Sequence, residues 1–133
     1  MLLIDATPIT PLVKVNADER VIQLTGRSSP ENSLQFYYPL MDKIKTLFAD
    51  CTETIQVNFS FQYFNTSSSK CLFDFFKMLR NFIKEGKEVE INWHYEEYDD
   101  DMLETGEDYA DLLGLEFNFV EVEDIEIPML ASV

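Results

Sequence analysis

Ile55-Gln56-Val57-Asn58-Phe59-Ser60-Phe61-Gln62-Tyr63 runs without a break into Phe64-Asn65-Thr66-Ser67-Ser68-Ser69-Lys70, and the apolar period changes at that junction. Up to Tyr63, apolar residues take every second position, with Gln56, Asn58, Ser60 and Gln62 between them; this is a strand with one buried face. Beyond Lys70, the residues Cys71, Leu72, Phe75, Phe76, Leu79, Phe82 and Ile83 recur at helical spacing, and Gly86 follows as a stop signal. The hydroxyl run therefore sits at a helix N-terminus. Unpaired amide N–H groups and the positive end of the helix dipole favour an anion there. A phosphate on Thr66 would be well placed and would change the local charge by roughly −2. Asn65, Thr66 and Ser67 are equally good helix caps, the plainer use of such residues. Four consecutive hydroxyls, however, exceed what one cap needs.

Working outward toward the N-terminus, residues 1–11 hold Pro8 and Pro11 and read as an extended lead-in. Leu12, Val13 and Val15 suggest a short strand, Asn16-Ala17-Asp18-Glu19 a hairpin turn, and Arg20 to Thr25 a second strand ended by Gly26. Ser28-Ser29-Pro30-Glu31-Asn32 has the grammar of a helix start: a hydroxyl cap, a proline, then an acid. Pro39 should kink or restart that helix. Leu40, Ile44, Leu47 and Phe48 then continue its apolar stripe.

Toward the C-terminus, Val89, Ile91, Trp93 and Tyr95 alternate with Glu90, Asn92, His94 and Glu96 as another half-polar strand. A helix follows from about Met102 to Leu113, with Leu103, Gly106, Ala110 and Leu113 inward and Gly114 at its end. Leu115, Phe117 and Phe119 make the last strand, and Asp124 to Val133 shows no period. The order β-β-α-β-α-β-α-β implies an α/β fold with a mixed, mostly parallel sheet. Strands covered on both faces read as continuous apolar runs. These keep a polar residue at every second position, so the helices are expected mainly on one face. The other face is then polar, partly open, and a candidate partner surface.

The 133 residues suit one domain, 1–133, with a core from about 10 to 122 and a C-terminal tail over 123–133. A hydrophobic content of 46%, with 11 Phe and 6 Tyr, points to a packed core rather than disorder. The net charge of −15 argues against nucleic acid and against anionic lipid. It favours a basic protein partner. No apolar run approaches the roughly 20 residues of a membrane span. Cys51 and Cys71 read as reduced thiols, and the expected location is cytoplasmic.

Chemistry of its own is not expected. His94 is the one histidine, on the polar side of a strand, and reads as a surface residue. No nucleophile–base pair stands out, and Gly26, Gly86, Gly106 and Gly114 are too scattered for a phosphate loop. Glu96, Glu97, Asp99, Asp100, Asp101, Glu104, Glu107 and Asp108 form the densest charge run. The run lacks the ligand order of an EF-hand, so no metal or other cofactor is expected. It is either a solvated helix start or, through Asp100, Asp101 and Glu104, an acidic patch read by a basic partner. Arg27, Glu31 and Asn32 are either a surface arginine with helix-capping residues or neighbours of Thr66 across the strand ends. In the second case Arg27 would pair with a phosphate.

Three stretches carry a family resemblance: Gly26-Arg27-Ser28-Ser29-Pro30-Glu31-Asn32-Ser33, Tyr63-Phe64-Asn65-Thr66-Ser67-Ser68-Ser69-Lys70, and Tyr98-Asp99-Asp100-Asp101-Met102-Leu103-Glu104-Thr105-Gly106-Glu107-Asp108. The architecture resembles the anti-anti-sigma-factor (STAS) fold, and the three motifs in this order resemble, more narrowly, the SiaC family of bacterial regulatory phosphoproteins. That resemblance implies a switch protein without catalysis. A dedicated serine/threonine kinase would phosphorylate Thr66, and a PP2C-type phosphatase would remove the phosphate. The unphosphorylated form would bind and activate a diguanylate cyclase, raising cyclic di-GMP and promoting biofilm or aggregation. Asn65, Ser67, Ser68, Lys70 and Arg27 would surround the phosphosite, and Glu31, Asn32, Asp100, Asp101 and Glu104 would be candidates for partner contact. The alternative from the same fold is a protein that binds a kinase-type anti-sigma factor.

Overall fold

The change of period after Tyr63 does mark a strand running into a helix. The structure, a computed structural model, describes residues 1–128. Its elements are β1 (Leu2–Ile4), β2 (Leu12–Asn16), β3 (Val21–Ser28), α1 (Ser33–Leu47), β4 (Ile55–Phe64), α2 (Thr66–Lys84), β5 (Val89–Glu96), α3 (Asp100–Leu113) and β6 (Phe117–Val122). One six-stranded sheet has the order β1-β2-β3-β4-β5-β6. The β1–β2 and β2–β3 pairs are antiparallel, and the three later pairs are parallel. Each parallel step moves one strand in the same direction, and right-handed crossovers that all step one way put their helices on one face.

Burial follows that geometry. Val13, Val15, Ile22, Leu24, Ile55, Val57, Phe59, Phe61, Ile91 and Trp93 point toward the helices and are buried. Tyr37, Leu40 and Ile44 of α1, Phe75, Phe76 and Leu79 of α2, and Tyr109 and Leu113 of α3 meet them. An aromatic cluster forms the centre, with Phe76 against Phe59, Trp93, Tyr109 and Phe117 at centroid distances of 4.8–6.1 Å. Gly106 lets α3 lie directly on Trp93: a Cβ there would be 2.6 Å from the indole. On the other face, Asn92 donates to Gln56 Oε1 (3.1 Å) and Asn58 Oδ1 (2.8 Å), and Asn118 donates to Asn92 Oδ1 (3.0 Å). Amides thus satisfy one another across three strands where no helix covers them.

Several boundaries differ from the sequence reading. Leu2–Ile4, expected only as part of an extended lead-in, pairs with Val13–Val15 as an edge strand. Gly26 does not end its strand. Its φ of +134° accommodates a register shift between Gly26 and Arg27, and the strand continues to Ser28. The first helix is capped by Asn32, whose Oδ1 accepts from Gln35 N–H at 3.1 Å, not by a hydroxyl at 28–29. The helix runs unbroken through Pro39 rather than restarting. The carbonyl that proline leaves without a donor belongs to Gln35, and both residues face solvent, so water can satisfy it. The third helix begins two residues earlier than expected and buries Met102 and Tyr109 more fully than Leu103.

The segment after β6 is not free of the sheet. Ile125 is buried, its N–H donates to Glu96 Oε2 (2.9 Å), and its carbonyl accepts from Gln62 Nε2 (2.9 Å). Ile127 reaches Gly26. The polar face is therefore covered at its upper end by the chain's own tail. His94, expected at the surface, is half-buried there. Its Nδ1 shares a 2.9 Å hydrogen bond with Ser60 Oγ, and burial lowers its pKa. Residues 129–133 of the expected tail lie outside the described residues.

Candidate functional site

The C-terminal ends of β3 and β4 lie side by side, with Arg27 level with Tyr63 and Ser28 level with Phe64. Asn65 N–H donates to the Ser28 carbonyl at 2.9 Å, which ties the start of α2 to the neighbouring strand. This brings the first two sequence motifs together. Asn65 caps α2: its Oδ1 accepts from Ser68 N–H (2.9 Å) and from Ser67 Oγ–H (3.2 Å).

The four hydroxyls of the run have different surroundings. Ser68 is fully buried, with Oγ 2.8 Å from Ser28 Oγ and 3.2 Å from Ser33 Oγ. Ser28 is also bonded to the buried Tyr37 hydroxyl, whose pKa burial pushes up. Ser67 is exposed but bonded to Ser33 Oγ at 2.7 Å. Ser69 Oγ pairs with the Tyr109 hydroxyl (2.8 Å), which also donates to the Ser69 carbonyl. Burial pushes the Tyr109 pKa up to about 12. Thr66 differs from all three. It is the first residue of α2, it is exposed, and among the described residues no hydrogen bond engages its hydroxyl. The plain capping reading thus holds for Asn65, while Ser67 and Ser68 clamp the start of α2 to Ser33 and Ser28 and Ser69 ties it to Tyr109 of α3. Thr66 takes neither role.

The other candidates fall in four places. Lys70 is exposed one turn beyond Thr66 on the same helix face. The Arg27 guanidinium lies over the Tyr63 ring, 5.3 Å from its centroid. Glu31 is exposed in the loop before α1, and Asn32 is occupied as that helix's cap. Asp100, Asp101 and Glu104 lie on the first turns of α3; Asp100, Asp101 and Glu104 are all exposed, and Asp99 caps the helix through Met102 N–H (3.0 Å). The acids share the sheet edge with Thr66, but none bonds to the hydroxyl cluster. Among the described residues no group of three His, Cys, Asp or Glu side chains is placed to hold a metal ion.

The sequence reading missed Ser33 and Tyr37 as members of the hydroxyl cluster. The available signal was their helical spacing from one another, which puts both on the buried face of α1.

Known proteins resemble the chain over this whole framework. An uncharacterized protein of Pseudomonas aeruginosa (strain UCBPP-PA14) is 26% identical over 108 residues, covering 81% of this chain and 86% of that protein. A chain in the crystal structure of diguanylate cyclase SiaD in complex with its activator SiaC, from Pseudomonas aeruginosa, superposes with a TM-score of 0.81 at 26% identity. It covers 91% of this chain and 98% of that one. Apo-SiaC from the same organism gives a TM-score of 0.78 at 26% identity, covering 90% and 96%. No helix among the described residues is long and apolar enough to cross a membrane. With the family model for SiaC regulatory phosphoproteins matching residues 4–122, strands β2 to β6, hydroxyl cluster and acidic helix included, this chain belongs to the SiaC family of regulatory phosphoproteins.

Proposed function

We propose that this chain is a cytoplasmic, non-catalytic switch that binds and activates a diguanylate cyclase, and that phosphorylation of Thr66 turns it off. The partner class rests on similarity to the SiaC that is solved as the activator in complex with SiaD. The observation that carries the modification site is the contrast within the hydroxyl run. The Ser67, Ser68 and Ser69 hydroxyls are each hydrogen-bonded to another side chain, whereas the Thr66 hydroxyl is exposed and unengaged, and so open to a kinase. Such a cycle requires a serine/threonine kinase and a phosphatase, which the family resemblance makes PP2C-type.

Phosphate at the first residue of α2 meets the positive end of the helix dipole, with Lys70 one turn on. The fold therefore tolerates it, and the added charge acts on the partner. A partner surface that complements a chain of net charge −15 is basic at long range. The block is thus local: a doubly charged, solvated group occupies the surface that must be desolvated on docking. Arg27 would contribute only by leaving the Tyr63 ring for the phosphate.

The test is cyclase activity in the presence of unmodified, Thr66-phosphorylated and Thr66→Ala protein, with mass spectrometry locating the phosphate. Unmodified and Thr66→Ala protein should activate, and phosphorylated protein should not. Phosphate found on a serine in place of Thr66, or equal activation by both forms, refutes the site. Capture of a kinase-type anti-sigma factor with no effect on cyclase turnover refutes the partner.

A further inference from the structure

The turn between β5 and α3 places an aromatic residue where the backbone favours glycine. Asp99 N–H donates to the Glu96 carbonyl at 3.0 Å, closing a β-turn over Glu96–Asp99. Its third residue, Tyr98, has φ = +70°, a conformation that suits Gly or Asn and costs a bulky side chain. Tyr98 is 89% exposed, the most exposed large apolar side chain among the described residues. No aromatic pairing and no side-chain hydrogen bond among the described residues accounts for it. The fold thus gains nothing from the tyrosine and bears its strain. Such outliers point to function.

The turn is also firmly held. Glu97 N–H donates to the Val122 carbonyl (2.7 Å), and Asp99 both accepts from Met102 N–H and closes the turn. An exposed ring on a fixed backbone loses little entropy on docking. Its position is equally specific. The register sets Ser60 level with His94, so Phe64 and Tyr98, each four residues on, rise to the same edge. Thr66 lies on that edge. Glu97, Asp100 and Asp101 lie within three residues of Tyr98 along the chain, all exposed.

We infer that Tyr98 is the anchor by which this chain docks on its partner, entering an apolar slot rimmed by lysine or arginine on the cyclase. The inference rests on the proposed cyclase partnership and deepens it. It places the docking surface across the β4–α2 and β5–α3 junctions, so that phosphate on Thr66 falls beside the anchor.

The probe is the SiaD-type diguanylate cyclase of the organism that supplies the chain, with full-length protein and affinity measured by calorimetry. Tyr98→Ala and Tyr98→Gly should weaken binding on the order of 30-fold. Tyr98→Phe should stay within about 3-fold if the ring, not the hydroxyl, is the anchor. Tyr98→Gly should melt no lower than wild type, because glycine relieves the positive φ. A matched control is Leu112→Ala, which removes another exposed apolar side chain (72%) near the far end of α3 and should bind as wild type. Wild-type affinity in Tyr98→Gly, or an equal loss in Leu112→Ala, overturns the anchor while leaving the partnership intact. Wild-type protein that fails to bind the cyclase overturns the partnership, and with it the assigned occupant.

Discussion

Gly106→Ala sets two effects of opposite sign against each other. Gly106 lies inside α3, where alanine is worth about 1 kcal/mol more than glycine by helix propensity alone. The added Cβ, however, would sit 2.6 Å from Trp93 Cδ1 and Nε1 and 2.8 Å from Cε2. Comfortable carbon contacts are about 3.5–4 Å, so a shift of about 1 Å is required. The indole cannot supply it cheaply. It is 1% exposed, its Nε1–H donates to the Met102 carbonyl at 3.0 Å, and Phe59, Phe76, Tyr109 and Phe117 surround it. Overpacking of this kind costs about 1–3 kcal/mol. Pulling the indole off its carbonyl adds about 1 kcal/mol. After the propensity gain the net loss is about 1–3 kcal/mol, a fall of about 4–12 °C in Tm for a domain of this size. Urea denaturation followed by fluorescence of the single tryptophan measures both stability and the indole's surroundings. A variant as stable as wild type, with unshifted emission, would refute the close packing of α3 on β5.

Other expectations follow from the same contacts. Asn65→Ala removes the acceptor for Ser68 N–H and Ser67 Oγ–H and should cost about 1 kcal/mol in denaturation, with Asn65→Asp restoring most of it. Tyr109, raised to about 12 by burial, keeps its proton in the fold while the unfolded chain ionises near 10. Its contribution is complete below about pH 10 and is lost as pH rises through about 12, so Tyr109→Phe should show a shallower alkaline fall in urea midpoint over that window. Charge reversal of Asp100 and Glu104 together should slow association with the cyclase and flatten its salt dependence, read by stopped flow, while leaving Tm within about 2 °C.

Much of the fold was legible because its signals are local. The alternation from Ile55 to Tyr63 and the helical repeat from Cys71 to Ile83 each specify one buried face, and the polar residues between them correctly implied a sheet covered on one side. What escaped depends on contacts between distant residues. Leu2–Ile4 is too short for a period and becomes a strand only by pairing with β2. Gly26 reads as a terminator, yet its positive φ carries the strand past a register shift, and Ile127 lies beside it. Ser28 reads as a cap, but the sheet turns it inward to Tyr37 and Ser68, leaving the cap to Asn32. The described part of the tail shows no period because it is held at one residue, Ile125, by two hydrogen bonds and its own burial. Thr66 was singled out because it lies in an uninterrupted motif. Its distinction from Ser67, Ser68 and Ser69 was not visible there, since it arises from residues 28, 33 and 109.

That distinction decides what kind of switch a phosphate on Thr66 would operate. If the first turn of α2 were held only by its own cap, a phosphate could act by melting or ordering it. Here Ser67 and Ser68 fasten it to Ser33 and Ser28, and Ser69 to Tyr109, all at 2.7–3.2 Å. Added charge at Thr66 then meets a turn already fixed, with its amides and dipole favouring the anion. The modification should change the surface and not the fold. Amide hydrogen exchange should therefore show the starts of α1 and α2 equally or better protected in the phosphorylated protein, while cyclase binding falls. If phosphorylation instead deprotects residues 66–70 and 33–37, the clamp has opened. The switch is then an order–disorder transition, and a partner would read the loss of the helix start rather than the charge upon it.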